Sequence, residues 1–155
     1  MPHRPSLQDL AFIKSLEAFE IAAGTFSHRD HIRMAYTYLC DHEISAGCTT
    51  IRQVLHGFLV HHGIEPYAKY HETLTQGWAR IVRHHMDLTP SQTSADDFID
   101  ENPDLLDSTL IKKHYSDTLL NSQLARKTFV EPDLIPFSDK AERNPLNATV
   151  KDAGR

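Results

Sequence analysis

The stretch Phe26-Ser27-His28-Arg29-Asp30-His31-Ile32-Arg33-Met34-Ala35-Tyr36-Thr37-Tyr38-Leu39 carries both the fold class and the candidate site. Ser27 with Asp30 three residues on has the form of a capping box, in which each side chain accepts the other residue's amide and so opens a helix. Phe26, just before the cap, is placed to pack against residue 31. The spacing predicts a helix from His28 to about Asp41, with His28, His31, Ile32, Ala35, Tyr38 and Leu39 on one arc.

Outward from this stretch the same signals recur. Ser6 with Asp9 predicts a first helix to about Ala23, with Leu10, Ile13, Leu16, Phe19 and Ile21 inward and Gly24 as its left-handed C-terminal residue. Ile51, Val54, Leu55, Phe58 and Leu59 predict a helix over Cys48 to His62, ended by Gly63. Pro66 suits the start of a fourth helix that includes Tyr67, Tyr70, His71, Leu74, Trp78, Ile81 and Val82 and ends near His85. A loop is expected over Leu88 to Ser94, a short helix after Ser94 with Asp97, another after Asn102–Pro103, and tandem short helices through Phe129 with a break near Ser116. Pro132 and Pro136 predict an extended segment lying across the bundle over Val130 to Phe137. No run alternates apolar and polar residues, which argues against a sheet. The expectation is an all-α, single-domain bundle of about five to seven helices over residues 1–137 with an extended C-terminal segment, and a disordered polar tail over 138–155.

A chain of 155 residues suffices for one core. Its apolar runs are far shorter than the roughly 20 residues of a membrane span, and residues 1–6 have no apolar stretch like a signal peptide, so a cytoplasmic location without membrane association is expected. Cys40 and Cys48 match neither a redox pair nor a zinc ribbon and are read as reduced thiols. The net charge of −5 and the absence of a basic stripe argue against nucleic acid as a partner. Oligomeric state is not legible. No Gly-rich phosphate loop, nucleophile elbow or HExxH pattern is present. The unusual count is eleven histidines, the commonest metal ligands and the side chains most easily tuned near neutral pH.

His28 and His31 lie on adjacent turns of one predicted stripe, and His71 shares the predicted inner stripe of the fourth helix with Tyr67, Leu74, Trp78 and Val82. If those stripes meet, three imidazoles converge on one point and form an open site for a divalent transition metal such as zinc, iron or copper. The first turn of a helix disfavours imidazolium, which suits a ligand. Asp30 and Glu72 lie about 100° off the cluster's centre on ideal helices and suit the outer positions that orient imidazole N–H groups. Glu72 is equally compatible with a fourth ligand or a general base, and Tyr70 with proton transfer. Arg33 and Arg126 are candidates to clamp an anionic substrate, with Thr75 as a further hydrogen-bonding group and Trp78 as a stacking surface, although solvated charge and core packing are the simpler readings. A histidine on an apolar stripe is also more often a hydrogen-bonded core residue than a ligand. His61–His62 and His84–His85 sit where imidazole can cap helix C-termini.

The patterns Phe26-x-His28-Arg29-Asp30-His31-x-Arg33, Tyr70-His71-Glu72-Thr73-x-Thr75 and Phe129-Val130-Glu131-Pro132-Asp133-Leu134, with Tyr115-Ser116 and Ser122-x-x-Ala125-Arg126 between them, resemble a group of small bacterial proteins. The resemblance spans about residues 26 to 137 and implies a fold boundary and site positions. It implies no reaction, because the group has no established activity.

Two functions follow as expectations. One is a metal-dependent enzyme acting on a small molecule, with His28, His31 and His71 as ligands and Glu72 or Tyr70 moving a proton. The other is non-catalytic: a small-ligand or metal-binding protein using the same cluster, or a structural or partner-binding protein whose histidines satisfy one another in the core.

Overall fold

The first two long helices start where their capping boxes place them. In the computed structural model, which describes residues 2–137, α1 spans Leu7–Glu17 and α2 spans His28–Leu39. Ser6 and Ser27 accept the amides of Asp9 and Asp30, and both carboxylates return a bond to the capping residue's amide. The Phe26 ring meets the His31 ring edge-on at 4.5 Å, so the residue before the cap packs as its position predicts.

Helix α1 ends earlier than expected, and Gly24 does not end it. Phe19 takes the left-handed position, with φ 61°. Its amide donates to Leu16 (3.1 Å) and that of Glu20 to Ser15 (2.9 Å), the paired bonds of a Schellman ending. Left-handed backbone is unfavourable for a residue with a Cβ. The Phe19 ring offsets this by stacking on His61 at 4.7 Å, against the bare backbone of Gly57. The expected inner face of α1 also changes. Leu10 is exposed, and the buried residues are Asp9, Ile13 and Leu16.

Helix α3 spans Ile44–His61, four residues earlier at its start than the apolar pattern indicates, and Gly63 (φ 74°) closes it as expected. Next come α4, Pro66–Lys69, and α5, Glu72–Leu88. The single fourth helix of the sequence reading is thus two, broken at Tyr70 and His71, both in extended backbone. Beyond the loop, α6 spans Ala95–Glu101, followed by 3-10 turns over Pro103–Leu106 and Leu110–Lys113, then α7, Asp117–Leu120, and α8, Gln123–Lys127. Ser94, Ser116 and Ser122 cap α6, α7 and α8 through their hydroxyls.

Helices α2, α3 and α5 pack on one another, α1 lies on α2 and α3, and α8 lies on α5. Their shared interior holds Leu16, Ile32, Leu39, Phe98 and Leu105, all fully buried, each side chain worth about 2 kcal/mol in area removed from water. Tyr36 and Phe98 stack at 4.7 Å. Residues 128–137 are not helical and cross the bundle as expected. Buried Thr73 pins them, donating to the Thr128 carbonyl (2.9 Å) and accepting the Val130 amide (3.1 Å). Among the described residues there are eight α-helices and no strand, an all-α single-domain fold. No helix among them is long and apolar enough to cross a membrane. The tail expected over 138–155 lies outside the described residues.

Candidate functional site

Where α2, α3 and α5 diverge they leave a cavity of about 600 Å3, within the usual range for small-molecule sites. Its walls are mostly apolar, with Phe26, Met34, Ile51, Leu55, Phe58 and Leu74 prominent. Into this wall are set His28, His31 and His71, together with Tyr70, Thr75 and Trp78. The three histidines singled out from the sequence therefore do border one space.

They differ in what their ring nitrogens already do. His28 Nε2 donates to the Leu105 carbonyl at 2.9 Å, since a carbonyl can only accept, and its ring meets Trp78 edge-on at 4.7 Å. His71 is not on a helical stripe. It is the N-cap of α5, its Nδ1 accepting the Leu74 amide at 3.1 Å. The proton therefore sits on Nε2, which donates to the Leu120 carbonyl at 2.7 Å. Both nitrogens of His71 are committed to backbone. Thr75 donates to the carbonyl of the same residue at 3.0 Å.

His31 is the contrasting case. Among the described residues its ring makes no hydrogen bond. The residue is exposed to solvent along the cavity it borders, while the neighbouring chain, Phe26 among it, crowds the ring's other side. Burial, reinforced by the neighbouring His28 and opposed by Asp30, pushes its pKa down to about 4. At neutral pH it presents one donor and one acceptor and no charge. Among the described residues, no group of three or more His, Cys, Asp or Glu side chains is arranged to hold a metal ion.

Glu72 and Arg126 do not border this cavity; they line a second one, of about 870 Å3, with Arg52, His56, Tyr67, Lys127 and Phe129. Tyr70 lines both. Glu72 is buried and fully engaged, accepting from Arg52, from the Tyr70 hydroxyl at 2.6 Å and from Gln76 at 2.5 Å. Burial alone would raise its pKa, but these donors outweigh burial and hold the carboxyl at about 2. The Tyr70 phenol, buried and donating to that carboxylate, is pushed well above its ordinary range. Glu72 is thus a weak base and Tyr70 a weak acid near neutral pH, and their arrangement fits a fixed hydrogen-bonded support.

Arg33 borders neither cavity. Its Nε lies 2.9 Å from Asp9, and its guanidinium sits 4.8 Å from the centre of the Phe12 ring. Of the paired histidines, His62 donates to the Ile21 carbonyl, and His85 brings Nδ1 to 2.8 Å from the Ile81 carbonyl of its own helix and Nε2 to 2.9 Å from the Asp104 carboxylate. Cys40 and Cys48 form no disulfide, and Cys48 is buried.

Sequence reasoning missed Arg52, His56 and Lys127. Arg52 and His56 are one turn apart on α3, a spacing that gains meaning only once α8 and residues 128–129 are seen to cover that face. Arg52 is twenty positions from Glu72, and no local rule pairs them.

The chain matches no family model, no curated protein and no solved structure.

Proposed function

We propose that the protein binds a small, largely apolar molecule carrying one uncharged polar group, in the cavity bordered by His28, His31 and His71. The observation that supports this is His31: a neutral imidazole with both ring nitrogens uncommitted, set in an apolar wall. His31 is exposed to the cavity, so a ligand hydroxyl exchanges with water at its nitrogens, for a net gain of about 1 kcal/mol together with a fixed orientation. His28 offers Nδ1 as a second contact, and Trp78 supplies an aromatic face. A cationic ligand group is disfavoured, because the one charged side chain on this lining, the exposed Lys69, is itself a cation.

The test uses protein carrying 15N-labelled histidine, titrated with p-cresol and, separately, with toluene, which has the same ring without the hydroxyl. The expected result is saturable shifts of the His31 and His28 ring signals with p-cresol, tighter binding of p-cresol than of toluene, and loss of that preference in His31→Leu. No perturbation of either ring by p-cresol, or equal affinity for both compounds, overturns the reading.

A metal-dependent enzyme is the second reading, favoured by one observation: His28 and His31, three residues apart on α2, each bring a nitrogen without a partner to the same cavity. His71 joins them as a ligand only by giving up its bond to the Leu74 amide or its bond to Leu120. Zinc titration of the same labelled sample reads this directly. One equivalent that moves all three rings together supports a metal centre, and rings that stay unmoved in excess zinc exclude it.

A further inference from the structure

The second cavity has a different chemistry. We propose that it binds a phosphate monoester attached to a planar apolar group, independently of the histidine cavity. Three side chains cationic at neutral pH line it, Arg52, Arg126 and Lys127, against the single carboxylate of Glu72, so three positive charges less one leave a net of two. A phosphate monoester in its dianionic form balances that surplus, whereas a carboxylate or sulfonate leaves one charge over.

The donors are only partly spent. Arg52 gives Nε and Nη2 to Glu72 and keeps Nη1. Arg126 spends one long contact, 3.3 Å, on the Tyr70 carbonyl and retains the rest of its fork. Lys127 is exposed, and its ammonium has no partner among the described residues. Two guanidinium groups and an ammonium on one concave wall are the donors that phosphate oxygens bind best, since arginine presents paired N–H groups at the matching spacing. His56 is packed edge-on to Tyr70 at 4.3 Å, and its Nε2 is a buried atom without a hydrogen bond, which leaves a further polar group beside the cations.

The remaining wall explains the planar group. Tyr67 is 78% exposed, an unusual exposure for so large a ring on a concave surface, and Phe129 and Pro66 add apolar area. A flat group entering beside the phosphate covers these rings. A long nucleic acid is disfavoured, because the chain as a whole carries −5 and only three of its sixteen lysines and arginines line this cavity.

Calorimetric titration of the full chain in phosphate-free buffer tests this with phenyl phosphate, inorganic phosphate and benzenesulfonate. Phenyl phosphate is expected to bind most tightly, inorganic phosphate more weakly for lack of the ring, and benzenesulfonate more weakly for lack of the second charge. Arg126→Gln and Lys127→Gln are each expected to weaken phenyl phosphate by about tenfold, and added salt to weaken it further, whereas His31→Leu leaves it unchanged. Lys127 is exposed, so its variant folds even where Arg126→Gln does not. Absence of binding at millimolar phenyl phosphate, or affinity unchanged in Lys127→Gln, overturns the site. Equal affinity for phenyl phosphate and inorganic phosphate overturns the planar part alone, and equal affinity for benzenesulfonate overturns the dianion.

Discussion

Arg52 grips Glu72 through both carboxylate oxygens. Its Nε lies 3.0 Å from Oε1 and 3.3 Å from Oε2, and its Nη2 lies 2.9 Å from Oε2. The pair joins the middle of α3 to the first residue of α5, immediately after the break at Tyr70 and His71. It fixes where α5 begins, and thereby where the wall between the two cavities stands.

That carboxylate makes folding sensitive to acid. Its pKa is about 2 in the folded chain against 4.5 as a free side chain. The lowered value means that its contribution is fully present above pH 4.5 and is lost as pH falls towards 2. The linkage amounts to roughly 3 kcal/mol. Urea unfolding of wild type and Glu72→Gln at pH 7, 4.5 and 2.5 is expected to give curves whose stability difference shrinks with acid by about that amount. A difference that stays constant with pH would mean that the grip does not lower the carboxyl.

Asp9 is the second buried carboxylate, 1% exposed, and it holds three elements together. It accepts from Arg33 at 2.9 Å, from the Ala95 amide at 2.8 Å and from the Ser6 amide at 2.9 Å. Asp9→Ala leaves two amides and a guanidinium without their acceptor and is expected to cost about 3 kcal/mol. Arg33→Met is expected to cost less, because the two amides still satisfy the carboxylate. Denaturant midpoints at neutral pH give the order, and an Arg33 variant as unstable as the Asp9 variant contradicts it.

His71 acts as a cap and a backbone clip. His71→Ala removes the acceptor for Leu74 and the donor to Leu120, for an expected loss of about 2 kcal/mol. His71→Asn retains a capping oxygen and is expected to recover about half. The ring's nitrogen shifts are expected to show the proton on Nε2. A proton on Nδ1 is incompatible with the cap.

The sequence carries the all-α class, the starts of α1, α2 and α6 and the extended final segment, because these rest on neighbours within a few positions. A serine followed by an acid three residues on satisfies its own amides wherever the rest of the chain goes. The ends were less legible. Phe19 is left-handed because His61 and Gly57 receive its ring, and the break before α5 carries no glycine or proline and relies on histidine, which is not a usual capping residue. Periodicity alone therefore ran α4 and α5 together and set His71 on a stripe it does not occupy.

The sequence by itself determined that His28 and His31 stand one turn apart at the start of one helix. It did not determine what each ring does there. Only the tertiary structure decided that His71 is spent on backbone, that His31 is left uncommitted, and that Glu72 and Arg126 belong to a separate, cationic cavity beyond Tyr70. The reason is physical: whether a polar side chain is occupied depends on partners such as Leu105, Leu120 and Arg52, which lie twenty to almost eighty positions away and become neighbours only when the helices pack.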